Sequence, residues 1–327
     1  MDNTEVLKPL KTWSHLSARR RKPSEYEVVS TNLHIRANGE PFELDPNVFL
    51  SQWYKKNCDA SPLKHPDWNS FRDPDGLIYR TYNMMQDGGE TYVRGLFDQF
   101  NEREHDKGLS PYWAGTLARL YTPSRYLFHT LQMCSAYLAQ MAPASTISLC
   151  ASFQGADSFR WLSHTAYRTK ELSLAIEGKG FGVDERHYWE NDIAWQGFRE
   201  LMERTLTAYD WAECFVALNL VAKPAIEETV LRKLGEAASH NGDTLFGLVA
   251  DAELADGVRH RRWASALVKL ALDVPDNANV IKEWIAKWQP LADHAIDAFC
   301  TALPDVPDAA EKAKRSTLSF QHSLFDQ

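Results

Sequence analysis

The chain has 327 residues, 44% hydrophobic and 12% aromatic, which is enough for a large buried core. Its formal net charge of −8 argues against a nucleic-acid partner, which selects a basic surface. No run of eighteen apolar residues is present to span a membrane.

The start, Met1-Asp2-Asn3-Thr4-Glu5, is acidic and polar and does not read as a secretory signal. Five scattered cysteines (Cys58, Cys134, Cys150, Cys214 and Cys300) show no C-x-x-C spacing and read as reduced thiols of a cytoplasmic protein. Residues 1–88 are rich in breakers: Pro9, Pro23, Pro41, Pro46, Pro62, Pro66, Pro74 and the pair Gly88-Gly89. Trp13, Trp53, Tyr54, Trp68 and Phe71 are spaced through them, as expected of an arm lying on another surface. The run Arg19-Arg20-Arg21-Lys22 reads as solvated.

Residues 89–327 read as one helical domain. Helices are predicted over about 90–107, from Ser110, over 126–141 behind Pro123, and over about 145–174. Gly178, Gly180 and Gly182 mark a loop. A helix over 184–204 follows, then a strongly apolar, buried one over 207–222, with a kink expected at Pro224. Asp243 is placed to cap a helix over 243–272, and Pro275-Asp276 introduce the last one, over 278–302. The rest reads as a polar tail with Pro304 and Pro307.

Two segments carry the strongest chemical signal: Asp157-Ser158-Phe159-Arg160-Trp161 and Asp256-Gly257-Val258-Arg259-His260, 99 positions apart. Both show Asp-x-x-Arg-x within a helical stretch. In a carboxylate-bridged di-iron protein the same frame reads Asp-Glu-x-Arg-His. Its Glu and His lie three apart on one helix face and reach one metal cluster. Here Ser158 and Trp161 stand at the first pair of ligand positions, and Gly257 and His260 at the second. Serine brings no charge, glycine has no side chain, and the indole N–H offers a metal no lone pair. The expectation is a di-iron bundle that has lost its metal and kept its shape. Asp157, Arg160, Asp256 and Arg259 would remain from the shell around it, as buried polar links between helices.

Longer stretches carry a family resemblance: Lys11-Thr12-Trp13-Ser14-His15-Leu16, Tyr79-Arg80-Thr81-Tyr82-Asn83, Leu96-Phe97-Asp98-Gln99-Phe100-Asn101, Gln140-Met141-Ala142-Pro143-Ala144-Ser145, and the first Asp-x-x-Arg segment with His164-Thr165-Ala166-Tyr167-Arg168. Through them the chain resembles the β subunit of the hydroxylase component of bacterial multicomponent di-iron monooxygenases. The nearest group is the toluene monooxygenases, with phenol hydroxylases and alkene or isoprene monooxygenases as relatives. The resemblance implies an all-α, ferritin-like (ribonucleotide-reductase-like) bundle with an irregular N-terminal arm. It implies a non-catalytic β subunit of an NADH-dependent system, with no cofactor or metal in this chain. The di-iron centre would sit in a partner α subunit, within an (αβγ)₂ assembly served by an effector protein, a ferredoxin and a reductase. The alternatives are a β subunit of a phenol, alkene or isoprene system, an independent ferritin-like di-iron protein, and a module binding a small apolar ligand.

Other constellations read as structural. Glu102-Arg103-Glu104-His105 contains Glu-x-x-His, but in a charged stretch that suits a solvated helix end. His164, Tyr167 and Arg168 suit packing or subunit contacts, and His129 a core or interface position. Lys223-Pro224 falls near the place of another carboxylate ligand. No nucleotide-binding or hydrolase motif occurs.

Overall fold

The computed structural model describes residues 11–16, 21–33 and 45–326, and among these every regular element is a helix. The long ones are α1 (Tyr79–Glu102), α2 (Ser124–Met141), α3 (Ser145–Ala175), α4 (Ile193–Thr205), α5 (residues 211–240), α6 (Thr244–Ala271), α7 (Asn277–Thr301) and α8 (Ala309–Ser323). The α2 helix packs lengthwise on α3, and α4 on α7. Between them α5 touches α2, α4, α6, α7 and α8. Among the described residues no helix is long and apolar enough to cross a membrane.

The burial of α5 follows from its sequence. From Trp211 to Ala222 only Glu213 is not buried, as expected of a helix that is apolar nearly all round, and burial continues through the charged stretch to Leu234 with Arg232 as the exception. Pro224 does not end it. Wide π turns over Val216–Ala222 and Glu227–Lys233 flank the short α segment Lys223–Ile226. A π turn shifts the hydrogen-bonding register by one residue. That shift accommodates a proline, which has no N–H to give and crowds the carbonyl four residues back.

Several boundaries differ from the sequence reading. α1 starts at Tyr79, not near Glu90, and runs straight through Gly88-Gly89, so the division at 88/89 falls inside a helix. Thr81 holds its start, the hydroxyl accepting from the Ile78 N–H at 3.0 Å. The helix expected over 184–204 is two, Glu185–Asn191 and α4. Asp192 separates them and caps the second through the Ala194 N–H at 2.9 Å. The polar tail contains α8, whose buried Ala313, Thr317 and Gln321 face the bundle. Gln321 donates to the Leu220 carbonyl at 2.9 Å.

The described part of the arm lies on this chain's own bundle. Tyr54 donates to the Ala142 carbonyl at 3.0 Å, Trp68 meets Trp211 edge-on with centroids 5.1 Å apart, and Phe71 is buried. Lys22 is exposed and Arg21 pairs with Glu27 at 2.8 Å, while Arg19, Arg20 and Pro41 lie outside the described residues.

Candidate functional site

α3 and α6 bring the two Asp-x-x-Arg segments face to face. Within each helix Arg lies one turn beyond Asp: Arg160 to Asp157 at 3.4 Å, and Arg259 to Asp256 at 3.2 Å. The arginines also cross over. Arg259 donates to Asp157, and Arg160 reaches Asp256 at 3.2 Å. α1 completes the set: Gln86 donates to Asp157 at 2.7 Å and Asp256 at 2.9 Å, and the Tyr82 hydroxyl donates to Asp157 at 2.8 Å. Burial pushes the Asp157 carboxyl up, against the opposing pull of Arg259. An open depression of about 550 Å³ leads to this network past Met85, Gly89, Tyr92 and Arg262.

The four positions that the sequence reading compared with metal ligands, Ser158, Trp161, Gly257 and His260, lie on the inner side of that network. Trp161 is fully buried, its ring centroid 5.9 Å from His260, and its indole N–H donates to Asp256 at 3.2 Å. Ser158 is also fully buried and turns its hydroxyl back to the Gln154 carbonyl at 3.0 Å. Burial holds His260 well below the ordinary imidazole range, with Lys223 and Arg259 acting the same way. It is therefore neutral, Nε2 donating to Asp157 at 2.8 Å and Nδ1 unpartnered.

At Gly257 a Cβ would lie 2.8 Å from Cδ of Glu227, so this carboxyl group takes up the space beside the glycine. Glu227 pairs with Lys223 at 3.3 Å, one turn earlier on α5, and with Arg261 at 3.0 Å. The Lys223 ammonium also lies 4.7 Å from the centre of the Trp161 ring. Both Lys223 and Glu227 are buried. Among the described residues no three of His, Cys, Asp and Glu are grouped so as to hold a metal ion.

A second buried polar set flanks the first. His164 bridges Glu253 at 3.1 Å and Glu90 at 2.8 Å. Burial alone would lower its pKa, but the two carboxylates raise it to about 9. Further along α3, Arg168 is fully buried between Asp243 at 2.7 Å and Asp106 at 3.1 Å. Asp243 also caps α6 and accepts from the Trp113 indole at 2.9 Å. Tyr167 packs on Phe97 with centroids 4.9 Å apart.

The remaining candidates, Lys223 excepted, stand apart from the centre. α1 ends at Glu102, and left-handed Glu104 turns His105 towards Asp243 at 3.3 Å, so Glu102 and His105 do not share a helix face. His129 is exposed rather than in the core, and its neighbour Phe128 packs on Trp161, centroids 5.6 Å apart. Lys223 is in the centre, as its position suggested. The sequence reading missed Glu227, Tyr82 and Gln86; the one available signal was the Lys-x-x-x-Glu spacing in an otherwise apolar segment.

The chain is similar to known proteins over most of its length. It is 56% identical to the toluene-4-monooxygenase system hydroxylase component subunit β of Ectopseudomonas mendocina, over 96% of each chain. A solved structure of toluene 4-monooxygenase with toluene in its resting active site superimposes with a TM-score of 0.86 at 56% identity, covering 91% of this chain and 99% of that one. Xenon-pressurised phenol hydroxylase from Pseudomonas sp. OX1 shares the fold, with a TM-score of 0.83 at 20% identity over 99% and 98% of the two chains. The family profile described as methane/phenol/alkene hydroxylase matches residues 51–275, and the chain belongs to that family.

Proposed function

We propose that this chain is the β subunit of a toluene-type aromatic-hydrocarbon monooxygenase hydroxylase, and that it contributes structure rather than catalytic residues. The name and 56% identity of the Ectopseudomonas mendocina relative support the subunit assignment. In this reading the di-iron centre and oxygen insertion belong to an α subunit, in a cytoplasmic (αβγ)₂ complex that an effector, a ferredoxin and an NADH-dependent reductase act on. The arm in this reading is the segment before α1, and the metal-free bundle runs from α1 onward.

The observation that carries the reading is the filled centre of the bundle. A di-iron site needs inward carboxylates and histidines on facing helices. Here Trp161 occupies one ligand position, Glu227 fills the space beside Gly257, and the Lys223 ammonium lies between them. These residues do not fit a di-iron centre. Ser158, Trp161, Gly257 and His260 are vacated ligand positions in this reading. Asp157, Arg160, Asp256 and Arg259 are the retained shell, now clamping α3 to α6.

Co-expression with the neighbouring reading frames tests this. The expected result is a stable complex with a chain bearing two intact Glu-x-x-His pairs, with iron tracking that chain alone. Stoichiometric iron in the separated β chain, or hydrocarbon oxidation by it alone, would overturn the proposal.

A further inference from the structure

Lys223 is the least expected residue of the core. Lysine is almost never fully buried without a partner, because an ammonium out of water is strongly destabilised. Burial accordingly lowers its pKa, against the pull of Glu227. Apart from their ion pairs, neither the Lys223 ammonium nor the Glu227 oxygens has a hydrogen-bonding partner in the described structure. What surrounds the ammonium is a carboxylate at 3.3 Å and the face of an indole at 4.7 Å. An anion and a π-face are the chemistry that recognises a cation.

We propose that Lys223 is the resident cation of this core: a tethered ammonium that supplies, between Glu227 and the Trp161 ring, the positive charge that a bound metal supplies in a di-iron bundle. The inference rests on reading Ser158, Trp161, Gly257 and His260 as vacated ligand positions. Three residues make the exchange together. Trp161 provides the π-face, Gly257 leaves room for the Glu227 carboxyl group, and Lys223 provides the charge. Arg261 at 3.0 Å is a second cation on the same carboxylate, but its side chain is partly exposed whereas that of Lys223 is buried.

A charge role differs from a packing role in what rescues its loss. Thermal unfolding of the full chain is measured for Lys223→Met, Glu227→Gln and the double variant. Removing one member of a buried pair strands the other, whereas replacing both does not. Each single variant is therefore expected to lower Tm by about 6 °C or more, and the double variant to recover at least half of the larger loss. In Lys223→Ala, millimolar ethylammonium should raise Tm while equal sodium chloride does not, and wild type should respond to neither. A double variant no more stable than the worse single one, or Lys223→Ala indifferent to ethylammonium, would overturn the proposal. Co-purification tests the subunit assignment separately, so failure of one is distinguishable from failure of the other.

Discussion

Gly257 lacks a side chain where Glu227 needs the space: a Cβ on the glycine would approach the carboxyl carbon to 2.8 Å and its oxygens to 2.9 and 3.1 Å. A glycine inside a helix ordinarily destabilises it by about 0.5–1 kcal/mol relative to alanine. The expected order is reversed here. Gly257→Ala should lower stability by about 1–3 kcal/mol through overpacking against a buried carboxyl group, read by thermal or urea unfolding of the full chain. An unchanged or higher Tm would show that Glu227 yields freely.

Two other glycines set the scale. At Gly197 a Cβ would meet the Ala295 backbone at 2.5 Å, because α4 and α7 approach closely there. Backbone cannot move aside as a side-chain end does, so Gly197→Ala should be the most damaging of the three, at about 3 kcal/mol or more. Gly88, in α1, faces open space. Gly88→Ala in the isolated chain should therefore raise stability by about 0.5–1 kcal/mol, and a loss instead would mean that α1 does not run unbroken through this position.

The crossed arginines form a coupled unit. Arg259→Met should destabilise by about 3–5 kcal/mol, because Asp157 stays buried without its main cation. Adding Asp157→Asn should give back part of that loss. A double-mutant cycle measures the coupling, and strictly additive losses would show that the Arg259–Asp157 contact is incidental.

His164 gives stability a pH dependence of known sign. Its unfolded pKa is about 6.5 and its folded value about 9, so the folded chain holds the proton more tightly. The contribution is complete below pH ~6.5 and is lost as pH rises towards 9, on the order of 3 kcal/mol in all. Its partner Glu90 runs the other way: held at about 2 by His164, it contributes above its ordinary value of 4.5 and loses that as pH falls. Unfolding between pH 6.5 and 9 should show wild type weakening steadily, and His164→Gln should weaken markedly less. Parallel curves would place the alkaline sensitivity elsewhere.

How much of this was legible in the sequence depends on scale. The long helices α3, α6 and α7 were placed within a residue or two, because periodicity over many turns averages out local exceptions. Local exceptions defeated the reading elsewhere. Gly88-Gly89 signalled a break, yet α1 absorbs both glycines because flanking residues such as Tyr82, Val93 and Phe97 anchor it in the core. The C-terminal stretch looked like a tail because only a narrow stripe, Ala309, Ala313, Thr317 and Gln321, faces inward. At the site, the Asp-x-x-Arg frames were visible because their spacing is the contact itself. Lys223 and Glu227 had a visible spacing too, but a Lys-x-x-x-Glu pair on a helix usually faces water. Only tertiary packing shows that this one is buried.

The tethered charges of Lys223, Arg259 and Arg261 also bear on the order of events during synthesis. Where a fold is completed by a captured ion, its last step waits on supply and chelators can undo it. A chain that encodes its own counter-ions can close its bundle without that delivery.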